Sequence, residues 1–240
     1  MKRRVLTLLI TAGLLAVLAA GCSLRSGSGT TAGAKAGEEK TFILGDTTFN
    51  GENGEPDINP HNQNSGWACI RYGVGETLFR LDDNMEIEPW LAESCANKDE
   101  LTWEITLRDG ITFSSGRKMD GEAVRECLED LTAVHDRAAG DLHIAEITAD
   151  GMTVTIRTET PVPALPNYLA DPYACIYDMQ AGVTEEGIVQ GTGPYVAVAL
   201  VPDTRVELVK NKTYWNGEPR VDPASCTTAP PPPTSTPRAT

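Results

Sequence analysis

Apolar residues follow different rhythms in different parts of the chain. From Val5 to Ala20 they run almost without a break. From about Lys40 to Arg220 short apolar runs alternate with polar ones, and beyond Val221 they nearly stop. Within the middle stretch, Thr41 to Leu44 suits a buried strand. Phe49 to Gln63 is dense in Gly, Asn, Asp and Pro and reads as loop. Ala68, Tyr72, Gly75 and Phe79, with Ile70 and Val74 beside them, predict a helix over 65–79. Leu101, Trp103, Ile105 and Leu107 alternate with polar residues, as in a half-buried strand that Arg108-Asp109-Gly110 turns into a second one at Ile111 to Phe113. Asp120 is placed to cap a helix whose apolar face is Val124, Cys127, Leu128 and Leu131. Asp150-Gly151 between Ile144–Thr148 and Met152–Ile156 predicts a hairpin. Pro161, Pro163 and Pro166 interrupt regular structure before a short helix near Asn167 to Ala170. A further hairpin joins Tyr195–Val201 to Val206–Val209. The expected class is mixed α/β with many antiparallel pairs.

The unbroken apolar run at the front reads as an address. Lys2-Arg3-Arg4 precedes it, and its sixteen residues are short for a membrane span of about 20. They fit the apolar region of a signal peptide. Leu18-Ala19-Ala20-Gly21-Cys22 resembles a lipobox, which makes Cys22 the expected lipidation site. A plain secretory peptide with an incidental Cys22 is the alternative. Residues 22–39, rich in Gly, Ser, Thr and Ala, read as a flexible tether. The expected divisions are 1–21 signal peptide, 22–39 tether, 40–220 folded body and 221–240 disordered Pro/Thr-rich tail.

Charge narrows the functions. The 240 residues carry 20 Lys+Arg and 34 Asp+Glu, a net charge of −14. Without the first 21 residues, which hold three of the cations and no acid, the balance is 17 to 34, or −17. Such a chain lacks the clustered cations that nucleic-acid binding needs. The five cysteines after Cys22 form no CxxC, and mostly free thiols are expected.

Catalytic signatures are absent: no G-x-S-x-G, H-E-x-x-H or Walker A occurs. Gly73-Val74-Gly75 and Gly191-Thr192-Gly193 lack a third glycine and suit turns. His135 and His143 are expected at the surface. His61 lies in a loop that can line a cleft, with Trp67 and Tyr72 close behind it. Those rings serve either as stacking surface or as core.

Several motifs, in order, resemble one family. Asp57-Ile58-Asn59-Pro60-His61 looks like its early N-P-H loop. Gly75-Glu76-Thr77-Leu78-Phe79-Arg80 is similar to YEPLxR, with Thr77 where Pro is usual. Ile87-Glu88-Pro89-Trp90-Leu91-Ala92-Glu93-Ser94 resembles IxPxLAxS. The stretch Leu101 to Ser114 resembles LTYTFxLRxGVKF, and Asp120-Gly121-Glu122-Ala123-Val124 stands where TAEDV stands. Gly191-Thr192-Gly193-Pro194-Tyr195 and Asn211-Lys212-Thr213-Tyr214-Trp215 resemble GTGPY and NxxYW. These are motifs of the extracytoplasmic solute-binding proteins of ABC importers, family 5, which take dipeptides, oligopeptides or nickel.

The resemblance implies a two-lobed periplasmic-binding-protein-like class II clamp that closes on ligand, of which residues 40–220 are the N-terminal part of lobe I. It implies no catalysis and no cofactor. The partners would be a small peptide or metal-chelate ligand, a permease, its ATPase subunits, and the membrane through Cys22. The chain would sit on the outer face of the cytoplasmic membrane, or in the periplasm. The implied ligand-binding residues are His61, Gln63, Trp67, Arg137 and Tyr173, with a turn-stabilising role as the alternative for His61 and no residue assigned to a metal. Tyr173 stands where nickel-type relatives carry a pocket-facing Arg. The change of character after Val221 reads as a truncated or frame-shifted continuation. The rival readings are a surface-anchored lipoprotein enzyme, such as a hydrolase, and a fragment that binds nothing.

Overall fold

A computed structural model describes residues 41–42, 57–201, 204–223 and 226–227, and at 41–42, 222–223 and 226–227 the backbone alone. The expected leader, Cys22, the tether and most of the tail lie outside these residues. No helix among the described residues is long and apolar enough to cross a membrane.

The largest sheet has four strands in the order β4-β5-β7-β6, formed by β4 (Ala92–Asp99), β5 (Thr102–Leu107), β6 (Ile144–Asp150) and β7 (Thr153–Thr158). All of its pairings are antiparallel. Ile105 of β5 lies opposite Val154 of β7, and both are fully buried. The period-two pattern therefore aims one face inward. Against β6 and β7 packs a helix spanning Gly121–Val134. Asp120 caps it by accepting from the Ala123 amide at 3.0 Å. Its apolar stripe of Val124, Cys127, Leu128 and Leu131 is buried, as the spacing predicted.

Smaller elements surround this centre. A helix at Ser65–Arg71 precedes a hairpin of β2 (Phe79–Leu81) and β3 (Ile87–Pro89). We number the helices α1 (Ser65–Arg71), α2 (Gly121–Val134), α3 (Asp136–Leu142) and α4 (Leu165–Tyr168), with a 3-10 turn at Pro172–Ala174. The hairpin of β8 (Tyr195–Val201) and β9 (Arg205–Lys210) forms as predicted. Two-residue strands complete the described body. β1 (Thr41–Phe42) pairs in parallel with β10 (Asp222–Pro223), and β11 (Cys226–Thr227) pairs antiparallel with β9.

Some expectations change. The helix over 65–79 stops at Arg71, because Gly73 takes a left-handed φ of +67° and the amides of Val74 and Gly75 fold back onto the Cys69 carbonyl. That closure is a helix-ending device glycine favours. Phe79 is buried, but in a strand. Ile111 to Phe113 makes only a single bridge, Thr112 to Lys118. β4 went unpredicted because its residues are polar on both faces, as befits a sheet edge. The short helix begins earlier than expected, at Leu165, with Pro166 in its first turn, where proline is tolerated. Within the expected tail, Asp222–Pro223 and Cys226–Thr227 pair as two-residue strands, and most of the remainder lies outside the described residues. His135, expected at the surface, is only 8% exposed.

Candidate functional site

The site grows from the loop before α1. Asp57 accepts from the Asn59 amide and Asn59 from the His61 amide, each at 3.1 Å, so two side-chain turns shape this loop. Ile58 is fully buried, and its amide bonds the Gly187 carbonyl at 2.9 Å. The His61 ring consequently points inward. It is 3% exposed, with Nδ1 2.7 Å from Asp130 Oδ2 and Nε2 3.6 Å from Cys127 Sγ. Its ring leans on Tyr177 at 4.9 Å between centroids. Burial pulls the His61 pKa below its usual value, with Asp130 opposing. His61 thus lies under the surface, not on it, which separates it from the other expected ligand contacts.

Those others come together. Gln63 sits at a left-handed φ of 49°, and its carbonyl accepts from His135 Nε2 at 3.0 Å. His135 Nδ1 in turn accepts from the Ala138 amide at 3.1 Å, capping α3. This pair of bonds fixes the ring as the Nε2–H tautomer. The His135 ring packs on Tyr173 at 5.1 Å. Tyr173 is buried, its hydroxyl donates to Asp141 at 3.2 Å, and burial pushes its pKa up. Arg137 lies over the Tyr173 ring at 5.1 Å and pairs with Asp171 and, at 3.4 Å, with Asp141. Its side chain remains 56% exposed. Gln63, His135, Tyr173, Arg137 and Asp171 therefore form one chain of contacts across three segments.

Trp67 stands beside this chain. It is 50% exposed on α1 and so is not core, whereas Tyr72 is core. Gly66 lets α1 lie directly on the 3-10 turn: a Cβ there would fall 2.3 Å from the Pro172 carbonyl oxygen. Trp67, Ile70, Asp171 and Pro172 share the wall of an open cavity of about 510 Å³.

Glu76 lines the same cavity and is 8% exposed. Its Oε1 accepts from Trp90 Nε1 at 2.9 Å and the Tyr214 hydroxyl at 2.7 Å. Its Oε2 accepts from the Thr192 hydroxyl and Trp215 Nε1, both at 2.9 Å. One carboxylate thus gathers the Gly75–Arg80, Pro89-Trp90, Gly191–Tyr195 and Tyr214-Trp215 motifs. Arg80 stacks over Trp90 at 3.5 Å on the cavity rim.

Sequence reasoning missed His135, Asp141 and Asp171 as parts of the site. Asp141 carried a readable signal, standing four residues after Arg137 on a helix. Asp171 before Pro172 is a turn-starting pair. His135 gave none. Among the described residues no group of three or more His, Cys, Asp or Glu is placed to hold a metal ion.

Comparison with known proteins agrees with this architecture. The model of the bacterial extracellular solute-binding proteins, family 5, matches residues 86–237. The chain belongs to this family. The nickel-binding protein NikA of Staphylococcus aureus is 34% identical over 153 residues, covering 64% of this chain and 31% of the relative. The glutathione-binding protein GsiB of Salmonella paratyphi A is 32% identical over 183 residues, covering 69% and 34%. A crystal structure of Staphylococcus aureus NikA in complex with Ni(L-His)2 superposes with a TM-score of 0.71 at 30% identity, over 80% of this chain and 39% of that one. A nickel ABC transporter protein from Bacillus halodurans gives the same TM-score at 33% identity and the same coverage. The chain spans about a third of the length of the curated relatives it matches. Its mixed α/β body with antiparallel sheets is part of the periplasmic-binding-protein-like fold of this family.

Proposed function

We propose that the chain is the ligand-binding component of an ABC importer for a nickel complex or a small peptide, anchored outside the cytoplasmic membrane by lipid on Cys22. It performs no catalysis and hands its ligand to a permease driven by ATPase subunits. The observation that carries this reading is the contact chain of Gln63, His135, Tyr173, Arg137 and Asp171, whose Asp171 shares a cavity wall with the exposed Trp67; Gln63, Arg137 and Tyr173 stand behind that wall rather than on it. Family membership and the NikA and GsiB relatives support it.

The arrangement suits amino-acid-like ligands. Arg137 offers guanidinium N–H donors and Asp171 carboxylate acceptors at one place. Such a pair matches the carboxylate and amino groups of a zwitterion. Trp67 adds an exposed flat face for stacking. Nickel would then arrive already chelated by small organic ligands.

The test is melting and calorimetric titration of the full chain with Ni²⁺ alone, Ni²⁺ with excess histidine, glutathione, and dipeptides. A true ligand at about 100 times its Kd stabilises the native state by about 2.7 kcal/mol. Trp67→Ala and Arg137→Ala should each weaken binding by roughly 10- to 100-fold, the scale of a lost charged hydrogen bond or stacked ring. No shift with any of these ligands overturns the reading. Radiolabelled fatty acid retained by a Cys22→Ala variant overturns the anchor.

A further inference from the structure

Beneath α1 lie buried thiols that the binding reading does not use. Cys69, Cys127 and Cys175 are each fully buried and free. Cys69 is on α1, Cys127 on α2, and Cys175 directly follows the 3-10 turn. Two of them are pinned to the same short backbone stretch. The Val74 and Gly75 amides donate to the Cys69 carbonyl at 3.0 and 3.3 Å, and the Ile176 amide donates to the Glu76 carbonyl at 2.9 Å. Gly75 stands between. A Cβ there would lie 2.6 Å from Cys69 Sγ, 3.1 Å from Cys175 Cβ and 3.2 Å from Cys175 Sγ. Both sulfurs therefore press on one hydrogen-sized space, no farther apart than the two sulfur distances combined.

Cys127 is occupied differently. Its Sγ donates to the Cys175 carbonyl at 3.7 Å and lies 3.6 Å from His61 Nε2. Burial pushes its thiol up to about 12 and raises the Cys175 thiol as well, so the bonding of Cys127 to other partners, not its titration, sets it apart.

We propose that Cys69 and Cys175 join in a disulfide as the chain folds outside the cytoplasm, fastening α1 to the 3-10 turn. The proposal takes the extracytoplasmic location from the function proposed above, because disulfides persist in oxidising compartments. The oxidant is a disulfide donor, RSSR, whether a small molecule or an oxidoreductase. One cysteine thiolate attacks the donor and releases RS⁻. The other cysteine thiolate then attacks the mixed disulfide and releases the second RS⁻. The cysteine pair loses two electrons, the donor gains them, and the two thiol protons pass to the released thiolates. Both sulfurs are shielded in the finished body, so exchange precedes closure. The bond would hold the Trp67 wall of the cavity against the Asp171–Pro172 wall and restrict the unfolded chain.

The full chain is secreted into an oxidising compartment, and separately refolded from the reduced state in mixed oxidised and reduced glutathione. After acid quenching and denaturation, free thiols are alkylated and peptides mapped without reduction. The expected result is a Cys69–Cys175 peptide pair, two hydrogens lighter than its separate parts, with Cys95 and Cys127 alkylated. Cys175→Ser should make Cys69 alkylatable, and Cys127→Ala should leave the link in place. Alkylation of both Cys69 and Cys175 in both preparations overturns the proposal, as does a link from either to another cysteine. Ligand titration is scored apart: linked protein that binds nothing counts against the function alone, and competent protein with free thiols counts against the link alone.

Discussion

Replacing Glu76 by Gln isolates what its carboxylate does. Each oxygen holds one indole N–H and one hydroxyl: Trp90 and Tyr214 on Oε1, Trp215 and Thr192 on Oε2. The amide of Gln turns one of those acceptors into a donor. The hydroxyl at that end can reverse and accept. The indole cannot, because it only donates. Either orientation therefore leaves one indole N–H unpaired and facing another donor. An unpaired buried donor costs about 1–3 kcal/mol, and the remaining bonds lose their charge assistance, giving roughly 2–4 kcal/mol in all. Glu76 is only 8% exposed, which limits the relief water can give at the carboxylate end, although Trp90 and Trp215 themselves are half-buried. The assay is urea unfolding followed by far-UV circular dichroism. A Trp215→Phe change in the Glu76→Gln background should recover about 1 kcal/mol or more, since the amide can then point at the ring that no longer donates. A Glu76→Gln variant within about 0.5 kcal/mol of the parent, or strict additivity with Trp215→Phe, would refute the reasoning.

Two further outcomes follow from the geometry. Burial holds the native His61 pKa below its usual 6.5. The unfolded chain then binds more protons than the native one between the two values, so this contribution is complete above about pH 6.5 and is lost as pH falls through the native value. His61→Gln should flatten the difference in urea midpoint between about pH 5 and 7.5; an unchanged slope counts against the buried ring. Alanine should have opposite effects at two glycines. At Gly191 its Cβ would fall 2.1 Å from the Val74 carbonyl oxygen, whereas at Gly140, exposed in α3, nothing lies within 4 Å. Thermal melts should show Gly191→Ala destabilised by about 1–3 kcal/mol or more and Gly140→Ala stabilised by about 0.5–1 kcal/mol; melts that move together would contradict this.

The sequence announced elements whose residues alternate or repeat on one face. β5, α2 and the β6–β7 and β8–β9 hairpins were legible because burial on one side imposes a period. β4 was not, since an edge strand of polar residues carries no such period. The end of α1 was misjudged because the apolar rhythm of Val74 and Phe79 continues past it, while the conformation of Gly73 decides the matter. Within the site, Gln63, Trp67, Arg137 and Tyr173 were picked through the family resemblance. The contacts binding three of them run through His135, Asp141 and Asp171. Those partners are fixed by the packing of α3 on the 3-10 turn, which local pattern does not encode. His61 was placed at the cleft by its loop; the inward direction of its ring depends on Asp130, far along the chain.

The pairing of β1 with β10 has a consequence in time. It joins positions about 180 residues apart, Thr41 to Asp222 and Phe42 to Pro223. At a synthesis rate of roughly 5–20 residues per second, the front strand waits roughly 10–35 s for its partner to be made. Hairpins such as β6–β7 can close long before then, since their halves emerge together. The body can thus assemble from its middle outward, and its oldest residues are among the late ones to pair. A stop placed just before Asp222 would leave the front strand unpaired although no residue near it had changed.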